Sequence, residues 1–143
     1  LAFQLLWYPS TTADMSLPSM SENVDAPILD RDVVAAFLHW YLPAGMDITE
    51  PESLPPALAP ANTADLSGLP PAYIGTAEHD PIRDDGARYA ELLAAAGVPV
   101  ELHNSPTMVH AFVNFAAVVP AAAEATDRGL AALRAGLRRS IPA

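Results

Sequence analysis

The 143-residue chain is 51% apolar and 17% charged, which gives enough apolar material to bury the core of one ordinary domain and excludes a disordered chain. Seven basic residues stand against seventeen acidic ones, and the formal net charge of -10 repels phosphate backbones and anionic lipid, so no nucleic-acid partner is expected. Cysteine is absent, which excludes disulfides, thiolate zinc sites and a Cys nucleophile and fits a cytoplasmic setting without requiring one.

The apolar opening, Leu1 to Tyr8, lacks the basic flank and small-residue cleavage site of a signal peptide, and no run approaches the ~18 to 20 apolar residues of a membrane span. Because the chain starts with Leu and enters an apolar run at once, it is expected to begin part-way through a larger protein. "FQLLWYP", Phe3 to Pro9, is short, apolar and stopped by proline, as suits a strand buried in a parallel sheet. From Ala13 to Asn23, and again from Ala44 to Gly68, the chain is rich in Pro, Ser, Thr and acidic residues without a sustained period, and both stretches are predicted as long surface connections. Between them Asp30 is an N-cap candidate for a helix that runs "RDVVAAFLHWYL" to Leu42, where Pro43 ends it.

"PAYIGTA", Pro71 to Ala77, and "VPVELH", Val98 to His103, are predicted as a second and a third strand. Tyr89, Leu92, Leu93 and Ala96 between them keep the spacing of a helix with one buried stripe, and Gly97 supplies its left-handed stop. Strand, helix, strand at this length predicts parallel neighbours. A last helix is predicted over Pro120 to Arg139, with Pro120 in the permitted first turn, Arg138 and Arg139 at the negative end of the dipole, and a stripe of Leu130, Leu133 and Leu137 against the sheet.

Functional groups in open parallel sheets collect beyond the carboxyl ends of the strands. Asp80 is expected three residues past the second strand and His110 seven past the third, so neighbouring strands would bring a carboxylate and an imidazole to one rim. A carboxylate on one ring nitrogen fixes the tautomer and leaves the other nitrogen free to take a proton. The plain alternative for Asp80 is a helix N-cap with Pro81 at the first helical position, and for His110 an ordinary half-buried histidine. Asp84 and Asp85 read as acidic residues of a first helical turn; His39, His79 and His103 read as structural. Phe37, Tyr41, Phe112 and Phe115 read as core or pocket wall.

"TAEHDPIRDDGARYAELLAAAGVPVELHNSPTMVHAF" resembles the C-terminal motif of the hormone-sensitive-lipase-like esterases, a branch of the α/β-hydrolases, in which D-P-L-R-D-E-G precedes an amphipathic helix and the histidine stands in H-G-F. "QLLWYP", "FLHWYL" and "DLSGLPPAYIGTAEHD" resemble further consecutive segments of that family. The resemblance implies an α/β fold, the C-terminal part of an α/β-hydrolase over residues 1–143, with parallel strands, flanking helices and part of a cap in 13–68. It implies a carboxylic-ester hydrolase with Asp80 as the triad acid and His110 as the base, Ile82 and Val109 beside the bound acyl or alcohol group, small hydrophobic esters as substrates, and no cofactor or metal. Ala111 departs from the family's glycine, and both the G-x-S-x-G elbow and the His-Gly-Gly oxyanion segment are missing, so the chain reads as the C-terminal half of a roughly twofold longer enzyme, inactive alone. The missing half of the same protein, or a homo-oligomer partner, would then cover the edge beside Phe3 to Pro9. The alternatives are a half-domain that acts as a binding or interaction module and, with no Gly-rich phosphate loop to support it, a flavodoxin-like binding domain.

Overall fold

In the computed structural model, which describes residues 1–43, 45–46 and 49–139, the three apolar runs form one parallel sheet in the order β1 (Gln4–Trp7), β2 (Ala72–His79), β3 (Val100–Val109). Gln4 pairs with Ala72 and Trp7 with Gly75, while Ala72 pairs with Val100 and Ala77 with Ser105. β2 is central and buried on both faces through Ala77, as its unbroken apolar composition requires. The five-residue α1 (Pro18–Glu22) lies in the first long connection, followed by α2 (Arg31–Tyr41), capped by Asp30, whose side chain accepts a 2.8 Å hydrogen bond from the Val33 N–H. α3 (Arg83–Ala95) joins β2 to β3, ended by Gly97 at φ +77°, and α4 (Pro120–Arg139) follows β3. Three-residue 3₁₀ turns at Pro51–Ser53 and Pro60–Asn62 give the second long connection its only regular structure among the described residues; residues 44, 47 and 48 of that connection lie outside them.

The third strand is longer than its sequence suggests. It continues past His103 to Val109 with Pro106 inside it, because β3 is an edge strand and a missing N–H on the free side breaks no ladder bond. Between the pairs Ala77–Ser105 and His79–Val109 a single residue of β2, Glu78, faces three of β3, Pro106 to Met108, an irregularity that re-aims the end of the strand. Since β2 also runs on to His79, Asp80 and His110 each stand directly after a strand rather than three and seven residues beyond.

α4 has the predicted bounds but a different packing face. Its buried residues are Ala122, Ala125, Gly129 and Gly136, whereas Leu130 and Leu133 are half-buried and Leu137 is exposed. The reason lies in β1 and the residue before it: a Cβ on Gly129 would fall 2.1 Å from the Trp7 ring, and one on Gly136 would fall 2.3 Å from that of Phe3. These aromatic side chains supply the ridges, so the helix must supply the groove.

Three apolar clusters result. Ile74, Tyr89, Leu93 and Val98 fill the α3 side; Ala77, Met108, Phe112, Ala122 and Ala125, with Trp7 and Tyr8 against them, fill the α4 side. A third holds Met20, Leu29, Val34, Leu38, Leu42, Leu54 and Ile82, of which Leu29, Val34, Leu38 and Ile82 line a cavity beside His110. Among the described residues no helix is long and apolar enough to cross a membrane.

Candidate active site

Each strand ends by handing one side chain to the same rim: Tyr8 after β1, Asp80 after β2, His110 after β3. Asp80 and His110 meet, with Oδ2 of the fully buried carboxylate 2.8 Å from Nδ1 of the imidazole, and the other oxygen, Oδ1, accepts from the Ile82 N–H at 3.0 Å. Asp80 thus also shapes the turn into α3, but the helix starts at Arg83, so it is not the helix N-cap. A carboxylate on Nδ1 makes that nitrogen the protonated one and leaves Nε2 as the acceptor.

The loop that carries Asp80 is clamped from α1. The Ser19 hydroxyl donates to the Pro81 carbonyl at 2.7 Å and accepts from the Asp84 N–H at 3.1 Å, while the Ser19 N–H donates to Asp84 Oδ2 at 2.9 Å. Four residues on, the Asn23 amide donates to the carbonyls of Glu78 and Asp80. Arg83 adds ion pairs to Glu22, Glu78 and Asp84; burial works against its charge, but the hydrogen bonds to Asp84 and Glu22 outweigh this and hold its pKa above the ordinary value. The stretch predicted as a surface connection is therefore a brace, and the i, i+4 spacing of Ser19 and Asn23 was the one signal of it.

Tyr8 was not singled out by sequence. Its ring lies against that of His110, centroids 4.6 Å apart, and edge-on to Phe112 at 5.4 Å. Burial, and then the charge of Asp80, push the Tyr8 hydroxyl above its usual pKa, so it stays protonated beside the pair. Its position at a strand's carboxyl end was the signal available.

His110 opens on a cavity of about 730 Å³ walled by Tyr8, Leu29, Val34, Phe37, Tyr41 and Ile82, among others, with Ser10 among the few polar members. Phe37 and Tyr41 are thus pocket wall, Phe112 is fully buried core, and Phe115 packs half-buried beside it. Ile82 lines this cavity, but Val109 does not. It lines a separate one of about 380 Å³ with His79, Glu22 and Asp25, because successive side chains leave a strand in opposite directions and His110 takes the inward one. His39 is exposed on α2, while His103, half-buried on β3, is kept below its usual pKa by burial and by Arg128. Among the described residues no cluster of His, Asp and Glu could hold a metal ion.

The model of a family described as "alpha/beta hydrolase fold" matches residues 1–114. The chain belongs to that family. Carboxylesterase NlhH of Mycobacterium tuberculosis is 74% identical over 137 residues, 96% of this chain but 42% of that protein; esterase LipI of the same organism is 61% identical over 135 residues, 94% of this chain and 41% of its own length. The crystal structure of DphMB1 superposes with a TM-score of 0.89 at 54% identity, over 95% of this chain and 44% of that one. This chain thus spans about two fifths of the length of the curated relatives it matches.

Proposed function

We propose that residues 1–143 supply the acid and base of a carboxylic-ester hydrolase whose nucleophile and oxyanion donors lie in sequence outside them. The observation that carries this reading is the 2.8 Å contact of Asp80 with His110 Nδ1 at the edge of an apolar cavity, in a chain similar to a carboxylesterase and an esterase. In the reaction, His110 Nε2 takes the proton of a serine hydroxyl as its oxygen bonds to the ester carbonyl carbon. When the tetrahedral intermediate collapses, the bond to the alkoxy oxygen breaks and His110 returns the proton to the leaving alcohol. Water, deprotonated in turn by His110, then releases the acid and restores the serine. Asp80 orients the imidazole and stabilises the imidazolium in both halves.

The cavity wall of Leu29, Val34, Phe37 and Ile82 suits a small hydrophobic ester, which fills it without stranding buried polar groups. A base without its nucleophile has nothing to activate, and each absent oxyanion donor forfeits about 3 to 4 kcal/mol in the transition state, so residues 1–143 alone are expected to be silent. The test is a p-nitrophenyl ester assay on the full-length protein. His110→Ala should lower kcat by at least about a thousandfold with folding intact. Wild-type turnover in that variant would remove His110 from the mechanism.

A further inference from the structure

Asp85 lies outside the dyad, and nothing in the sequence gave it more than a helix-dipole role. It is fully buried on the first turn of α3, and its partners come from the loop that leaves β1, more than seventy residues earlier. Oδ1 accepts three hydrogen bonds, from the Thr11 N–H at 2.7 Å, the Thr11 hydroxyl at 2.6 Å and the Thr12 N–H at 3.0 Å; Oδ2 accepts a longer one from the Ser10 hydroxyl at 3.4 Å. Thr11 and Thr12 are themselves buried. A carboxyl group hidden this deeply costs stability unless the bonds it makes do something.

What they do is fix a strained loop. Tyr8, at φ +38°, and Ala13, at φ +57°, bracket the captured residues, and both side chains occupy backbone regions that disfavour them. Without an acceptor at Oδ1 three donors would be buried without partners, and the loop would relax toward solvent. The first residue of this loop is the one whose ring lies on His110.

We propose that Asp85 is a positioning residue: by capturing Thr11 and Thr12 it holds the Tyr8–Ala13 loop in the conformation that sets the Tyr8 ring against the imidazole of His110. The inference rests on the reading of His110 as the base. Tyr8 limits the tilt of the ring that must meet the attacking hydroxyl, so the effect falls on kcat more than on KM. Burial pushes the Asp85 carboxyl above its usual pKa, opposed by the hydrogen bonds from Thr11 and Thr12, and either charge state keeps Oδ1 as an acceptor.

The test uses the full-length protein and p-nitrophenyl acetate. Asp85→Asn keeps an acceptor at Oδ1 and is expected to hold kcat within about threefold, while Asp85→Leu, of similar branching but with no acceptor, should lose about thirtyfold, the scale of a misplaced base. Leu93→Ala is the control, since Leu93 is fully buried on the same helix in the cluster of Ile74 and Tyr89, which includes no residue of the Tyr8–Ala13 loop or of the dyad. It should lower Tm at least as much as Asp85→Leu and leave kcat per folded molecule unchanged. Should Asp85→Leu fail to fold, Thr11→Val removes one of the three donors from the other side and is expected to lower kcat about fivefold. The inference is overturned by wild-type kcat in Asp85→Leu, or in Thr11→Val where that variant has to stand in. It is equally overturned if Asp85→Asn loses as much as Asp85→Leu, or if Leu93→Ala loses kcat in step with its Tm. His110→Ala in parallel separates the two claims: an inactive His110→Ala beside a fully active Asp85→Leu rejects the role of Asp85 alone, and an active His110→Ala rejects the base itself.

Discussion

Ala111 follows His110 in the left-handed region, at φ +62° and ψ 22°, where a Cβ crowds its own carbonyl. The H-G-F motif that this stretch resembles has glycine there, and the geometry suits it: the chain turns sharply after the imidazole to enter the 3₁₀ turn Phe112–Phe115, which buries Phe112 under Trp7 and Tyr8. Glycine would remove the strain, and although it loses more backbone entropy on folding than alanine, that penalty is smaller than the strain relieved. Ala111→Gly is therefore expected to raise stability by about 0.5 to 1 kcal/mol, read as a higher urea midpoint with an unchanged slope. A lower midpoint would mean that the methyl makes contacts worth more than the strain. At this scale legibility followed distance along the chain. Asp80 and His110 could be singled out because each follows an apolar run and sits in a local stretch, Asp-Pro and His-Ala-Phe, that resembles the esterase motif. Tyr8 could not, because its role depends on β1 pairing with β2, and the acceptor role of Asp85 depends on residues more than seventy positions away.

α4 shows the same division for a whole element. Its ends were readable from Pro120 and the Arg138–Arg139 pair, since caps are local chemistry. Its face was not, because leucine spacing predicts a ridge while Trp7 of the partner strand and Phe3 just before it already provide ridges. Small residues carry little hydropathy, and so a groove of Ala122, Ala125, Gly129 and Gly136 reads as mere alanine richness. The consequence is measurable at Gly129, where a methyl would lie 2.1, 2.6 and 3.0 Å from three atoms of the Trp7 ring. Gly129→Ala gains up to about 1 kcal/mol of helix propensity on an exposed surface, but here overpacking costs more, and a net loss of about 1 to 3 kcal/mol is expected in chemical denaturation. The cause is checked by shrinking the other partner: in a Trp7→Leu background the same substitution should be neutral or stabilising. Equal losses in both backgrounds would place the damage elsewhere than the Trp7 contact.

The sheet itself is lopsided. The N–H groups of Gln4 and Tyr8 donate to the Pro71 and Gly75 carbonyls of β2 and the adjoining chain, so by alternation those of Leu5 and Trp7 point to the opposite edge, which pairs with no strand among the described residues. β1 is nevertheless apolar and only half-buried, the composition of an interior strand in an edge position. Charge does not protect this edge, since the net charge of -10 is carried by residues outside Gln4–Trp7. An apolar edge of this kind adds a strand wherever one is offered. The chain covers 42% of carboxylesterase NlhH, and our functional reading places the nucleophile in sequence outside these residues, so the natural strand for this edge would belong to the same missing portion. Residues 1–143 expressed alone are then expected to self-associate at micromolar concentration in analytical ultracentrifugation. Supplying the remaining portion of the full-length protein as a separate chain should return the sample to a 1:1 complex and switch on p-nitrophenyl ester hydrolysis, lost again with His110→Ala. A monodisperse monomer that neither binds that portion nor gains activity would show that β1 is a finished edge, and that catalysis is not assembled across it.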